Sequence, residues 1–162
     1  MYLALITDVY SKKIMGFNLS DSLSTEGSAN ALEMAVRKRK YSKLELIHHS
    51  DRGLQYCSDD YQIALGQHKI KCSMTESYDP YANAVAERVN GIIKQEFLYR
   101  FRKQTDLKLM KKIVAESIEL YNHKRPHLSC EMLTPEQMHL QQKVKIKTYK
   151  SKNLSKASLA EV

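Results

Sequence analysis

The chain has 162 residues, 43% of them hydrophobic, with only 5 Gly and 3 Pro; this composition supports one ordinary core and excludes a disordered chain. Lys and Arg outnumber Asp and Glu by 26 to 18, a net charge of +8, which favours nucleic acid over a membrane as the partner. No apolar run approaches the roughly 20 residues that span a bilayer, and the start lacks a signal-peptide pattern, so we expect a cytoplasmic protein.

The first half of the chain alternates predicted strands with predicted helices, as in an α/β sheet. A short polar break between two runs rich in β-branched and aromatic residues predicts a hairpin at the start. Ser24 or Thr25 is the expected N-cap of the first helix. The predicted elements are strands at 2–8 and 13–19, a helix at 25–40, a strand at 44–48, a helix at 58–67 and a strand at 70–74.

The second half is helical. A helix is predicted from residue 82 because apolar residues recur at helical spacing, namely Val85, Val89, Ile92, Ile93 and Phe97. A second helix is predicted to open at Thr105–Asp106 and to run to about residue 121. Residues 143–162 carry six lysines and a single acid, which predicts a basic, mobile tail behind a core of residues 1–142.

Two acidic residues stand out as candidate metal ligands. Asp51 follows a predicted strand, and Glu87 lies on one helical face together with Asn83, Asn90 and Lys94. Carboxylates that meet at the carboxyl edge of a sheet suit Mg²⁺ or Mn²⁺, which hold and polarise phosphates. The alternative remains open that Asp51 is a turn residue before Arg-Gly and Glu87 part of a solvated helix face.

Other positions have a structural and a functional interpretation. His48 and His49 are expected to be structural hydrogen bonders. Residues 37–43 are as compatible with a helix C-terminus as with a DNA channel. The run YNHKRPH offers His123, Lys124, Arg125 and His127 to phosphates, although its proline also marks the end of a helix. Cys57, Cys72 and Cys130 are odd in number and lack C-x-x-C pairing, so no disulfide framework or zinc site is expected.

Three segments carry a family resemblance: HHSDRGLQY at 48–56, SMTESYDPYANAVAERVNGIIKQEF at 73–97 and YNHKRPHLSCEMLTPEQM at 121–138. In this order they resemble the catalytic core of insertion-sequence transposases, the DDE enzymes related to retroviral integrases. The most specific feature is the interval of 35 residues between Asp51 and Glu87, followed by Lys94. The resemblance extends from about residue 2 to residue 140.

The resemblance implies a ribonuclease H-like fold, with a mixed sheet, flanking helices and two C-terminal helices. It implies phosphoryl transfer on DNA with two metal ions, in which Asp51 and Glu87 are catalytic acids and metal ligands. Lys94 becomes a DNA contact, and we extend DNA contact to Asn83, Lys124 and Arg125. The implied cofactor is Mg²⁺ or Mn²⁺, weakly held in this chain, and the partners are DNA and a homo-oligomer or full-length transposase.

One family position has no counterpart in this chain. The first catalytic Asp of the family lies on a central strand that precedes the part matched here, so the chain reads as truncated at its N-terminus. Asp8 matches a different position, and we expect it to accept hydrogen bonds in the turn to Ser11. Three hypotheses follow: a metal-dependent transposase core, a non-catalytic DNA-binding or regulatory remnant and, with least support, a ribonuclease H-like nuclease acting on RNA.

Overall fold

The computed structural model describes residues 1–39, 44–74 and 83–141. The predicted basic tail therefore lies outside the described residues, as do residues 40–43. In chain order the elements are β1 (Tyr2–Thr7), β2 (Ile14–Ser20), α1 (Thr25–Arg37), β3 (Leu46–Ser50), α2 (Leu54–Cys57), α3 (Asp59–Gln67), β4 (Ile70–Met74), α4 (Ala84–Ile92), α5 (Leu107–Lys124) and α6 (Pro135–His139). Within this part of the chain, no helix is long and apolar enough to cross a membrane.

The predicted hairpin is confirmed: β1 and β2 pair antiparallel, with an irregularity between Ile6 and Thr7. Helix α1 packs across both strands and approaches β2 closely at Gly16. A Cβ built on Gly16 would lie 2.0 Å from the carbonyl oxygen of Ala31 and 2.8 Å from the nitrogen of Ala35. Only glycine permits this distance between strand and helix.

The turn of the hairpin is organised by Asp8, as the sequence predicts. The backbone N–H of Ser11 donates to the Asp8 carboxylate at 2.9 Å, and the Ser11 hydroxyl donates to the same oxygen. Lys12 adopts a left-handed φ of 65°, a conformation that costs about 1 kcal/mol for a residue with a side chain. The turn is therefore a strained segment that needs support from its neighbours.

The second pair of strands is parallel, with Leu46 opposite Ile70 and Ser50 opposite Met74. β4 lies where the sequence predicts it, whereas β3 covers Leu46–Ser50 instead of 44–48. The prediction rested on the apolar residues Leu44, Leu46 and Ile47. Ladder pairing with β4 instead extends the strand through the two histidines. Among the described residues, the two pairs form separate two-stranded sheets and not one continuous sheet.

The helices differ from the predicted bounds mainly at their ends. α1 ends at Arg37 instead of residue 40, and α4 begins at Ala84. The chain then passes into a π-helical segment, Ile93–Leu98, so the regular 3.6-residue spacing of α4 stops before Lys94. α5 begins as predicted, because the Asp106 side chain accepts from the N–H groups of Lys108 and Leu109.

The C-terminal segment holds the hairpin turn, in contacts that we call the turn clamp. The Asn122 side chain accepts from the N–H of Ile14 and donates to its C=O, both at 3.0 Å, and the Tyr121 hydroxyl donates to the carbonyl of Lys12 at 2.8 Å. The clamp also includes the thiol of Cys130, the ring of His139 beside Ser11, and the ion pair between Lys13 and Glu136. These bonds connect the two ends of the described chain.

Two apolar clusters form the core. One joins the hairpin to α4 and α5 through residues such as Ile14, Val89 and Ile118. The other joins α1, α3 and β4 through Leu32, Tyr61, Leu65 and Ile70. Each pair of strands therefore has a cluster of its own. α1 contacts the hairpin on one side and α2 and α3 on the other.

The close approach at Gly16 predicts that two Gly→Ala substitutions have opposite effects on stability. Gly16→Ala should lower the free energy of unfolding by at least about 2 kcal/mol, because the new methyl group overlaps the backbone of α1. Gly66→Ala, on a helix with nothing within 4 Å of the added Cβ, should raise it by about 0.5–1 kcal/mol. Urea denaturation of both variants tests this; equal effects would contradict the proposed strand–helix contact.

The buried ring of His127 predicts a pH dependence. Burial, followed by the charge of Arg125, lowers its pKa to about 4, so the unfolded chain takes up a proton between pH 6.5 and 4 that the folded chain does not. The contribution of His127 to the free energy of unfolding should be fully present above pH 6.5. It should fall by roughly 2–3 kcal/mol as the pH is lowered towards 4.

Denaturant titrations across this pH range measure the effect. His127→Gln should flatten the loss of stability relative to the unmodified protein, while His123→Gln, at an exposed position beside Glu119, should leave it nearly unchanged. An unchanged pH profile in His127→Gln would refute the assignment.

Candidate functional site

Asp51 lies directly after β3 and is exposed to solvent. Its Oδ1 accepts a hydrogen bond from the N–H of Gly53 at 3.0 Å, which is the turn that the sequence offered as an alternative. The carboxylate also acts on Tyr56: burial, followed by the charge of Asp51, raises the pKa of that phenol. Within the described residues the turn uses Oδ1, so the role in the turn is compatible with a cation at Oδ2.

Glu87 lies in the first turn of α4 and is exposed. Within the described residues it has no ion pair. Its helix is anchored by Val89 and Ile92, which are buried in the cluster with the hairpin. The convergence of Asp51 and Glu87 stays a prediction. The part of the chain that the structure describes contains no group of three or more His, Cys, Asp or Glu side chains placed to hold a metal.

The predicted DNA contacts fall into two kinds. Lys94 and Lys124 are exposed, and neither forms an ion pair with a described residue. Asn83 is the N-cap of α4, but its side chain makes no capping hydrogen bond. These side chains are compatible with contact to a phosphate backbone.

Arg125 is already engaged by Glu96. Its Nε and one terminal nitrogen donate to the two carboxylate oxygens at 2.6 and 2.7 Å, a bidentate pair. This hydrogen bonding lowers the pKa of Glu96 and raises that of Arg125. The charge of Arg125 is therefore balanced within the fold, and sequence reasoning had no signal for the partner because Glu96 lies 29 positions away.

The histidines at the end of β3 are structural hydrogen bonders, as predicted. The Nε2 of His48 lies 3.1 Å from the hydroxyl of Tyr61, and Nδ1 of His49 lies 3.0 Å from the hydroxyl of Ser73. Burial, followed by the charge of His49, lowers the pKa of His48, which keeps its ring neutral at pH 7. Tyr56 packs edge-on against Tyr61, so this tyrosine contributes to packing beside the histidines.

Sequence reasoning missed the turn clamp. It offered four residues of the YNHKRPH segment to phosphates and gave no role to Tyr121 and Asn122, which are buried and hydrogen bonded to the hairpin. The ring of His127, one of those four residues, packs edge-on against Tyr121. The signal that was present is the helical spacing of Val114, Ile118 and Tyr121, which places Tyr121 on the buried face of α5.

Comparison with known proteins places these features in a family. Two family profiles, both described as integrase core domain, match residues 1–80 and 68–135. The insertion element IS600 uncharacterized 31 kDa protein of Shigella sonnei is 36% identical over 138 residues, covering 83% of this chain and 49% of that protein. Transposase InsF for insertion sequence IS3A of Escherichia coli strain K12 is 35% identical, covering 85% of this chain and 47% of that protein.

Solved structures agree on the fold. The simian T-cell lymphotropic virus intasome in complex with PP2A regulatory subunit B56 gamma contains a chain that superposes with a TM-score of 0.71 at 19% identity, covering 93% of this chain and 52% of that one. The HTLV-2 integrase catalytic core domain in complex with magnesium gives 0.61 at 18% identity, with 82% and 80% covered.

The chain spans about half the length of the curated relatives that it matches. Over that span the two profiles together cover residues 1–135, which include Asp51, Glu87, Lys94 and the turn-clamp residues Tyr121, Asn122 and Cys130. On the combined evidence of profiles, relatives and fold, the chain belongs to the integrase core domain family.

Proposed function

We propose that this chain acts in DNA transposition as the core of a transposase that nicks DNA and transfers strands. The observation that carries the proposal is the 35% identity over 138 residues to an insertion-sequence transposase. The placement of Asp51 after β3 and of Glu87 on α4 supports it, because acids at such positions are needed to hold the cations of phosphoryl transfer.

Asp51 and Glu87 are the residues that would hold Mg²⁺ or Mn²⁺. Carboxylate oxygens suit these hard cations, and the exposed positions of both side chains leave oxygens available to a cation. When bound, the metal supplies electrostatic stabilisation of the charge on the scissile phosphate. Two carboxylates alone form an incomplete cage, so the proposal includes weak binding.

A third carboxylate would come from an additional strand. We infer that the two strand pairs are the outer parts of one mixed sheet, with β1 and β3 as the edges that flank the position of the central strand. Two observations support this: the pairs form separate sheets, and β3 exposes Leu46 and Ile47, at 39% and 58%. The resemblance to DDE enzymes implies that this strand carries the first catalytic Asp.

Lys94 and Lys124 are proposed to contact DNA phosphates, since neither forms an ion pair with a described residue. Asn83 is proposed as a third contact, since its side chain makes no capping hydrogen bond at the start of α4. Arg125 is a weaker candidate, because Glu96 balances its charge. We also propose a core of residues 1–142 followed by the basic tail of 143–162, which would add sequence-independent affinity for DNA.

The second candidate is a non-catalytic DNA-binding or regulatory remnant of a transposase. In its favour, the resemblance matches two residues of this chain, Asp51 and Glu87, to catalytic acids, which is one fewer than the family uses. The two candidates share the basic surface and differ in chemistry. They are therefore separated by an activity assay and not by a binding assay.

The activity prediction compares two forms of the protein. The 162-residue chain should show no appreciable nicking of element-end DNA with Mg²⁺ or Mn²⁺, whereas a form extended by a strand bearing the additional Asp should cut. In the extended form, Asp51→Asn and Glu87→Gln should each abolish cutting, because each removes a cation ligand. Glu116→Gln, on the exposed face of α5, is the matched control and should retain activity.

Two outcomes would contradict this proposal. If the short chain cuts as well as the extended form and Asp8→Asn abolishes that activity, Asp8 is the third ligand. If the extended form binds DNA but remains inactive with both metals, the non-catalytic remnant is the better description.

Binding should be tolerant of sequence and strongly dependent on salt. Lys94→Ala should weaken affinity for duplex DNA uniformly across sequences and lower the slope of log affinity against log salt by about 1. Lys71→Ala is the control, since Lys71 pairs with Glu45 at 2.9 Å. Fluorescence anisotropy at several salt concentrations measures both, and an affinity that does not change with salt would exclude phosphate contact.

A further inference from the structure

Three side chains that contain sulfur lie together where α2 meets β4. Cys57 is the last residue of α2, and Cys72 and Met74 lie on β4. The thiol of Cys57 donates to the thioether of Met74, with 3.8 Å between the two sulfur atoms. Cys57 and Cys72 are free thiols, and both are exposed to solvent. We call these three residues the sulfur cluster.

Cys72 belongs to the cluster through its strand and through a neighbouring amide. Side chains alternate along a strand, so Cys72 and Met74 point to the same face of β4, which is the face that packs on α3. The side-chain nitrogen of Gln62 donates to the Sγ of Cys72 at 3.5 Å. The same nitrogen donates at 2.7 Å to the carbonyl of Tyr56, the residue before Cys57. One amide therefore holds the second thiol beside the backbone that carries the first.

The separation of the two sulfur atoms suits a shared metal ion. Metal–sulfur bonds are about 2.3 Å long. Two sulfurs that lie 3.8 Å apart therefore subtend an angle of roughly 110° at an ion bonded to both. An angle of this size is typical of three- or four-coordinate ions, which need at least one more donor. Cys72 is the third sulfur on this face of β4, and its exposed position gives an ion access without any opening of the core.

The donor set indicates which metal the cluster would take. Zinc in proteins is bound by thiolate, imidazole and carboxylate, and a thioether is not among these ligands. Thiolate and thioether together are soft donors that select copper(I). Mg²⁺ and Mn²⁺ instead take oxygen ligands. The sulfur cluster and the acids Asp51 and Glu87 therefore suit different ions and do not compete for one.

We propose that Cys57, Cys72 and Met74 bind one copper(I) ion through two thiolates and one thioether. Binding releases one proton from each thiol, because the thiolate is the form that ligates a metal. The weak contact between Cys57 and Met74 is replaced by two bonds to the ion, which joins the end of α2 to β4. The site requires no DNA and no magnesium, so it does not depend on the proposed function.

Anaerobic titration of the reduced 162-residue chain with copper(I) tests the site, with the coloured chelator bicinchoninate as the competitor. The protein should take up one equivalent. Cys57→Ser and Cys72→Ser should each lower the affinity at least about a hundredfold, because each removes a thiolate ligand. Met74→Leu keeps an apolar side chain of similar size and should lower the affinity at least about tenfold. The matched control Met132→Leu, at a position 60% exposed in the C-terminal segment, should leave it unchanged.

X-ray absorption at the copper edge gives a second measurement that does not depend on the folding of any variant. In the unmodified protein loaded with one equivalent, it should show three sulfur neighbours at about 2.3 Å. A chain that takes up no copper against the chelator, or that binds it through nitrogen or oxygen neighbours, would overturn the proposal. So would Met74→Leu that binds copper as tightly as the unmodified protein, since the thioether would then not be a ligand.

Discussion

The pairing of Asn122 with the backbone of Ile14 is the constraint on which the described fold depends. The amide accepts from the N–H and donates to the C=O of one residue, as a neighbouring strand would at the edge of a sheet. It connects positions 108 residues apart and is buried, so each lost bond would leave a polar group without a partner at about 1–3 kcal/mol. It also supports the strained turn at Lys12 and fixes α5 against the hairpin.

This constraint changes how the basic C-terminal motif is understood. Within YNHKRPH, the role of each residue depends on its position on α5. Tyr121 and Asn122 face the hairpin, while His123 and Lys124 face solvent. Arg125 leaves the helix and pairs with Glu96. A run that looks like one cationic patch in the sequence is thus mainly structural, with Lys124 as its exposed cation without an ion pair among the described residues.

Local signals predicted the hairpin, β4 and the start of α5, because turn residues, alternation and the Asp106 cap act over a few neighbours. Features that depend on distant residues were not predicted. The shift of β3 to Leu46–Ser50 depends on ladder pairing with β4, and the ion pair of Arg125 depends on Glu96, 29 positions away. At the site, the sequence indicated the turn role of Asp51, since an Asx turn is local. The convergence of Asp51 and Glu87 depends on tertiary geometry that no spacing specifies.

The relative position of these two carboxylates depends on α1 more than on strand pairing. Asp51 follows β3, whose unit is packed around Tyr61 and Leu65, while Glu87 lies on α4, which packs with the hairpin. No hydrogen-bonded ladder joins the two strand pairs within the described residues. α1 spans them, with Ala31 and Ala35 against Gly16 and with Leu32 in the other cluster. A helix held at contact distance by a single glycine is therefore the element that couples the two halves of the candidate site.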